Sequence, residues 1–214
     1  MADPTSICNE ALGELGASFI QGFTDGTSVS TLCGTMYPQA RDATLEMHPW
    51  DFAQRRVMLN PSANVPAFGW KYQYILPTDP YCLKVHETDR GAWVPWDVEV
   101  DQEGRRVLLS DQKTLGILYT ARIEDLNVWS PLALQVLVKL LASKLAKPIT
   151  GQNSTTEMKY KEALTLLPQA KASDGQQGTP RVLRLPQSIA FARHGSGRSG
   201  VWPYSNPRTY EGPW

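Results

Sequence analysis

The sequence predicts an α+β protein, a helical bundle with an inserted small antiparallel β-barrel or sandwich and an extended C-terminal arm. Three observations carry that reading. Apolar residues recur at helical spacing early and late in the chain, the period drops to two between residues 57 and 123, and regular patterning stops near residue 175. The parts are therefore residues 1–56 and 124–175 for the bundle, 57–123 for the β insertion and 176–214 for the arm.

The first helix is carried by Ile7, Ala11, Leu12 and Leu15 on one stripe, with Gly16 as its stop. A glycine-, serine- and aspartate-rich loop follows over 21–30. Leu32, Met36, Ala40, Ala43, Met47 and Trp50 then step by three or four along a second, longer helix. Two prolines interrupt it. Pro38 cannot donate to the carbonyl of Gly34, so the helix is expected to start near Tyr37 or to kink there, and Pro49 should end or bend it at its far end.

From Val57 onward short alternating runs predict strands: Trp70 to Leu76, Tyr81 to His86, Trp96 to Val100, Val107 to Leu109 and Leu115 to Ile123. Gly104 supplies a tight turn between two of them, and Pro77 and Pro80 punctuate two others. Helices resume at Ser130-Pro131, an N-cap followed by a proline at the first helical position. Residues 132–147 are almost wholly apolar, with Gln135, Lys139, Ser143 and Lys147 on one narrow polar stripe. A helix of this kind must be covered nearly all round. Leu134, Leu137, Leu141 and Leu145 are the expected packing residues, either within the bundle or laterally against another copy. Ser154 to Glu157 fits a capping box for a last helix, with Met158, Leu164, Leu167 and Ala170 expected inward.

The arm carries Arg181, Arg184, Arg193, Arg198 and Arg208 against the single acid Glu211, together with Phe191, Trp202 and Tyr204. Spaced apolar and arginine anchors on an extended chain suit docking on another protein, with Arg184, Phe191, Trp202 and Tyr204 as the chosen anchors; the alternative is a disordered tail.

Lysine plus arginine number 21 and aspartate plus glutamate 21, so no net charge draws the chain toward nucleic acid or an anionic membrane. There is no basic, then apolar, opening segment and no stretch long enough to span a bilayer, which reads as a soluble, non-exported chain. Cys8, Cys33 and Cys82 have no ligand or framework spacing and are expected to be reduced and buried. No phosphate loop, dinucleotide fingerprint, zinc-protease or nucleophile-elbow motif occurs, and no cofactor or metal is expected. His48 lies three residues from Asp51, and a boundary or capping role is the preferred reading over acid–base work. Glu10 and Glu14 read as a solvated helical face. The stretch EMHPWDFAQRR is accordingly read as a corner anchor built on Pro49, Trp50 and Phe52, with Arg55 and Arg56 facing out or pairing with acids.

Several short stretches, in this order and spacing, resemble the tail tubular A-type head-to-tail adaptors of short-tailed phages and their connector relatives in gene transfer agents. They are Ile7-Cys8-Asn9-Glu10-Ala11-Leu12, Ala40-Arg41-Asp42 leading to His48-Pro49-Trp50-Asp51-Phe52-Ala53, Trp70-Lys71-Tyr72-Gln73-Tyr74 with Leu76-Pro77, and Ile149-Thr150-Gly151 before Met158 to Tyr160. The resemblance implies a non-enzymatic virion protein at the head–tail junction, assembled in the host cytoplasm as a dodecameric ring between the portal and the tail or nozzle. DNA would pass through its central channel without specific binding, and no membrane is involved. A neutral chain fits such a conduit, because phosphate binding scales with neutralising cations. Two other readings remain open: a hydrolase assembled from scattered carboxylates such as Glu46, Asp51 and Asp79, and a nucleic-acid-binding module using the arginine-bearing arm.

Overall fold

The computed structural model describes residues 2–89 and 94–177. Among them lie four α-helices and six strands, in the order two helices, the β insertion, two helices. Helix α1 (Pro4–Glu14) opens on a capping box in which Asp3 accepts from the Ser6 amide and Ser6 answers the Asp3 amide, with proline at its first turn. Ile7, Cys8, Ala11 and Leu12 form its buried face. Gly16 takes a left-handed φ of 69° just beyond its end, and Asn9 clamps the returning chain by bonding both main-chain groups of Ile20 at 2.9 Å.

Helix α2 (Ser28–Glu46) is capped by Thr27 and runs unbroken past Pro38. The expected start near Tyr37 is therefore corrected: the cap at Thr27 and the buried face of Cys33, Tyr37, Ala40, Thr44 and Leu45 hold one helix on both sides of the missing amide. Tertiary packing outweighs the local penalty.

Strand β1 (Gln54–Leu59) begins three residues before the expected change of period, directly after a 3₁₀ turn at Asp51–Ala53. β2 (Tyr72–Ile75), β3 (Cys82–Thr88), β4 (Trp96–Val100), β5 (Arg106–Ser110) and β6 (Leu115–Ala121) complete two antiparallel three-stranded sheets, ordered β1-β6-β3 and β2-β5-β4. The barrel alternative does not close. Pro77 and Pro80 lack the amide needed to continue a ladder, so β2's pairing ends and the chain crosses to the other sheet for β3. Gly104, at φ 77°, turns β4 into β5 as expected. Tyr74 and Leu108 of one sheet and Leu115, Ile117 and Tyr119 of the other join a single buried cluster that continues into the helices.

Helix α3 (Pro131–Thr150) has Ser130 as N-cap, accepting from the Ala133 amide, and Gly151 as a left-handed C-cap. Helix α4 (Asn153–Gly175) follows after two residues and doubles back along α3. The expected capping box at Ser154 does not form, because the turn at Gly151 lets α4 start at once under Gln152, placing Ser154 inside the first turn. The inward face of α4 is Lys159, Ala163, Ala170 and Asp174, with Leu166 and Leu167 half-buried, whereas Met158 and Leu164 lie exposed. The small side chains of Ala163 and Ala170 let the two helices approach.

Leu137, Leu141 and Leu145 are fully buried and Leu134 is half-buried, all against α1, α2 and α4 of the same chain. The apolar girth of α3 is thus covered inside one molecule, and it supplies no need for a lateral neighbour. Leu141→Ala should destabilise the isolated chain by about 2–5 kcal/mol, read as a lowered denaturant midpoint with an unchanged slope.

Candidate functional site

The corner at EMHPWDFAQRR is assembled from four parts of the chain. Helix α2 ends at Glu46, so Pro49 lies beyond it and ends it without bending it. Trp50 is fully buried and its indole donates to the Thr44 carbonyl at 2.8 Å. His48 meets Trp50 edge-on at 4.9 Å, Phe52 stacks on Trp50 at 5.9 Å, and Trp129 packs on Phe52 at 5.1 Å. The carboxylate of Asp174, from the last turn of α4, accepts from the Asp51 amide at 3.1 Å and lies 3.3 Å from His48 Nε2. Gln54 closes the turn by donating to the Pro49 carbonyl at 2.8 Å. Arg55 bonds the neighbouring carbonyls of Phe52 and Gln54 and pairs with no acid among the described residues.

His48 therefore faces Asp174 across the corner. Burial pushes its imidazole below the ordinary value against the pull of Asp174, and burial pushes Asp174 up against the Asp51 amide, which holds it down. Both shifts run against the charged forms, and the contact, with the Asp51 amide, fastens the end of α4 to the corner. The boundary role expected of His48 fits this geometry, although nothing in the sequence near His48 pointed to Asp174.

A second cluster joins helices and sheets. Arg41, 8% exposed, reaches Asp42 at 3.0 Å and Glu124 at 3.2 Å. Arg122 binds Asp42 at 2.7 Å and lies 4.5 Å over the Tyr81 ring. Arg106 donates to the Cys82 carbonyl at 2.5 Å. This is the strut between α2 and the β insertion.

The third is a four-membered ring of charges. Glu14 of α1 contacts Lys139 of α3 at 2.8 Å and Lys159 of α4 at 3.3 Å, and Glu162 contacts both lysines at 2.9 and 3.2 Å. Glu14 is thus an inter-helix partner and not part of a solvated face, while Glu10 is exposed. Burial pulls Lys139 down, but hydrogen bonds from Glu14 and Glu162 outweigh it and hold it above its ordinary value.

Glu46, Asp51 and Asp79 lie apart, at the end of α2, in the 3₁₀ turn and in the turn before β3; all three are exposed and no hydrogen bond joins any two of them. Among the described residues, no group of three or more metal-ligating side chains converges. Cys8, Cys33 and Cys82 are free and buried, and burial pushes the Cys82 thiol up to about 11. Arg184, Phe191, Trp202 and Tyr204 lie outside the described residues. No described helix is long and apolar enough to cross a membrane.

The described residues leave several surface hollows, one of about 280 Å³ being lined by Arg56, Met58, Asp89 and Gly116. A groove of about 700 Å³ runs along α3 and α4 between Gln135, Met158, Lys161, Thr165, Leu166 and Gln169. A cleft of about 600 Å³ lies on the outer face of the β2-β5-β4 sheet, under the loop that carries Val65, Phe68 and Trp70. No family model matches this chain, and no curated protein matches it.

Asp174→Ala strips the Asp51 amide and His48 of a buried partner and should cost about 1–3 kcal/mol, part of it recovered in Asp174→Asn; urea unfolding of the two variants measures both. The hydrogen bond from Lys139, followed by that from Lys159, holds the Glu162 carboxyl below its ordinary value of 4.5. The folded chain then binds that proton less readily than the unfolded one, so the stabilisation is complete above about pH 4.5 and is lost as the pH falls through the lowered value. Glu162→Gln should flatten the acid limb of a stability-against-pH curve.

Proposed function

We propose that this chain is a structural head-to-tail adaptor of a tailed phage or related particle, which assembles as a ring between the portal and the tail or nozzle. The observation that carries this reading is where the resembling residues fall in the fold. Within Ile7 to Leu12, Ile7, Cys8, Ala11 and Leu12 form the buried face of α1 and Asn9 its clamp, and Arg41 and Asp42 form the strut to the sheets. His48 to Ala53 form the corner, Tyr72 to Tyr74 lie in β2, Gly151 reverses α3 into α4, and Lys159 enters the charge ring. Residues that fix the joints between a helical body and an inserted β domain are those that a shared architecture would require.

In this reading the chain does no chemistry, and its work is rigidity and attachment. A body whose helices and sheets share one core holds its shape while DNA passes, and its zero net charge leaves the passing phosphates unbound. Lateral contact falls to surfaces other than α3. Tyr160 and Leu164, one turn apart on α4 and each a little under half exposed, are one apolar candidate. The arginine-bearing arm supplies vertical attachment to the portal, and a closed ring multiplies modest contacts through effective concentration.

Electron microscopy of the full chain mixed with its particle's portal should reveal rings seated on the portal, with twelvefold symmetry. Removal of residues 178–214 should leave the far-ultraviolet spectrum of the helices and sheets intact and abolish co-sedimentation with the portal. Monomers that ignore the portal at micromolar concentration would refute the assignment.

A further inference from the structure

The β4 strand has one paired edge and one open one. Its partner is β5, and among the described residues no strand pairs with its other side. The hydrogen bonds tell which main-chain groups face outward. The Asp101 amide donates inward to the Arg105 carbonyl at 2.9 Å, whereas the Val98 amide is taken by the side chain of its own neighbour, Asp97, at 2.8 Å. Since both main-chain groups of a residue in an antiparallel strand point the same way and alternate along it, Trp96, Val98 and Val100 present theirs to the open edge.

The side chains alternate as well. Trp96 and Val98 pack toward the core, while Asp97 and Glu99 stand on the outer face, beside the cleft lined by Phe68, Trp70 and Gln73. Asp101 and Glu103 at the cleft's far end are both engaged by Arg105, at 2.8 and 2.7 Å. Glu99 is exposed and has no such cation among the described residues.

An open edge normally invites a second copy of the same strand, but here antiparallel self-pairing would set Asp97 and Glu99 of one copy against those of the other. Like charges directly opposed across a ladder destabilise it, so the edge is guarded against itself and selective for the opposite charge. A lysine or arginine opposite these acids would also lay its aliphatic stem along the Phe68 and Trp70 wall and bring its head to the cleft's carboxylates. On the other face, a partner residue beside Trp96 and Val98 must be apolar.

We propose that the open edge of β4, with the acidic cleft beside it, docks an extended segment of a partner protein in which cationic and apolar residues alternate, extending this three-stranded sheet by one strand. The inference rests on β4 alone and holds whether or not the chain forms a ring.

A labelled octapeptide of alternating arginine and valine, titrated with the full chain and followed by fluorescence anisotropy, tests it. The alternating peptide should bind, its isomer with the arginines and valines in separate blocks should bind at least about tenfold more weakly, and an alternating glutamate–valine peptide should not bind. Glu99→Lys should weaken binding about tenfold, since an attraction is lost and a repulsion gained. A docking strand must displace the Asp97 side chain from the Val98 amide; Val98→Pro removes that edge-facing amide without breaking the β4–β5 ladder and should abolish binding. If that variant misfolds, peptides N-methylated on alternate residues replace it: one of the two methylation phases should lose all affinity. Equal binding of the block isomer, indifference to Glu99→Lys, or failure of the alternating peptide to bind would each overturn the proposal. So would a homodimer that Val98→Pro dissolves, which would assign the edge to a second copy.

Discussion

The fold depends on the enclosure of α3. Of its 20 residues, Ala133, Val136, Leu137, Val138, Leu140, Leu141, Ala142, Leu145 and Ala146 are buried apolar side chains. Each fully buried leucine or valine contributes about 1.5–3 kcal/mol, against about 0–1 kcal/mol for a partly exposed ion pair. The enclosure therefore drives assembly of the bundle, and the Glu14–Lys139–Glu162–Lys159 ring adds little net energy. The ring's contribution is positional. With two acids and two lysines from three helices satisfying one another, only one sliding register of α1 and α4 on α3 leaves no charge unpaired.

The inserted β domain is tied to that bundle by chemistry of a different kind. The buried cluster runs through both, but its direction is set by the strut of Arg41, Asp42, Arg122 and Glu124 and by the aromatic corner. Arg41 is nearly buried and has two carboxylate partners, which a planar guanidinium can engage along separate directions. Asp42 in turn serves two arginines. Removing either member would leave a desolvated charge behind, which costs more than the pair contributes. The corner does the same work with apolar area: Trp50, Phe52 and Trp129 stack in series between the end of α2 and the segment that leads into α3.

Much of this was legible in the sequence because periodicity reports burial locally. The α+β order, the N-cap at Ser130, the turn at Gly104 and the anchoring role of Trp50 all follow from residues within one element or one turn. Where local signals competed with packing, packing won. Pro38 promised a break that α2's long buried face overrides, and Ser154 to Glu157 spelled a cap that the quick reversal at Gly151 makes unnecessary. The buried face of α4 is not the one its apolar residues suggest, because Lys159 and Asp174 read as polar, yet each is buried by a partner from another helix or from the corner. Such pairings join residues far apart in sequence and have no period. The covering of α3 was predicted as a need, but a single chain gives no sign whether a neighbour or its own helices will meet it.

Because α3 is enclosed by its own chain, the surfaces left for other molecules are those where regular structure ends without a partner. On α4, Tyr160 and Leu164 stand exposed among polar residues such as Lys161, which suits a broad, flat contact whose register the helices themselves must set. The open edge of β4 is different: its ladder fixes direction and spacing through main-chain bonds, and Asp97 and Glu99 dictate which side chains can stand opposite. Contacts of the first kind give area, and contacts of the second kind give discrimination. A rigid body with both on its surface can hold a large neighbour in place while reserving one strand-sized slot for a particular sequence. That division follows from the core: having hidden its greasiest helix, the chain is left with surfaces that recognise by geometry and charge more than by hydrophobic area.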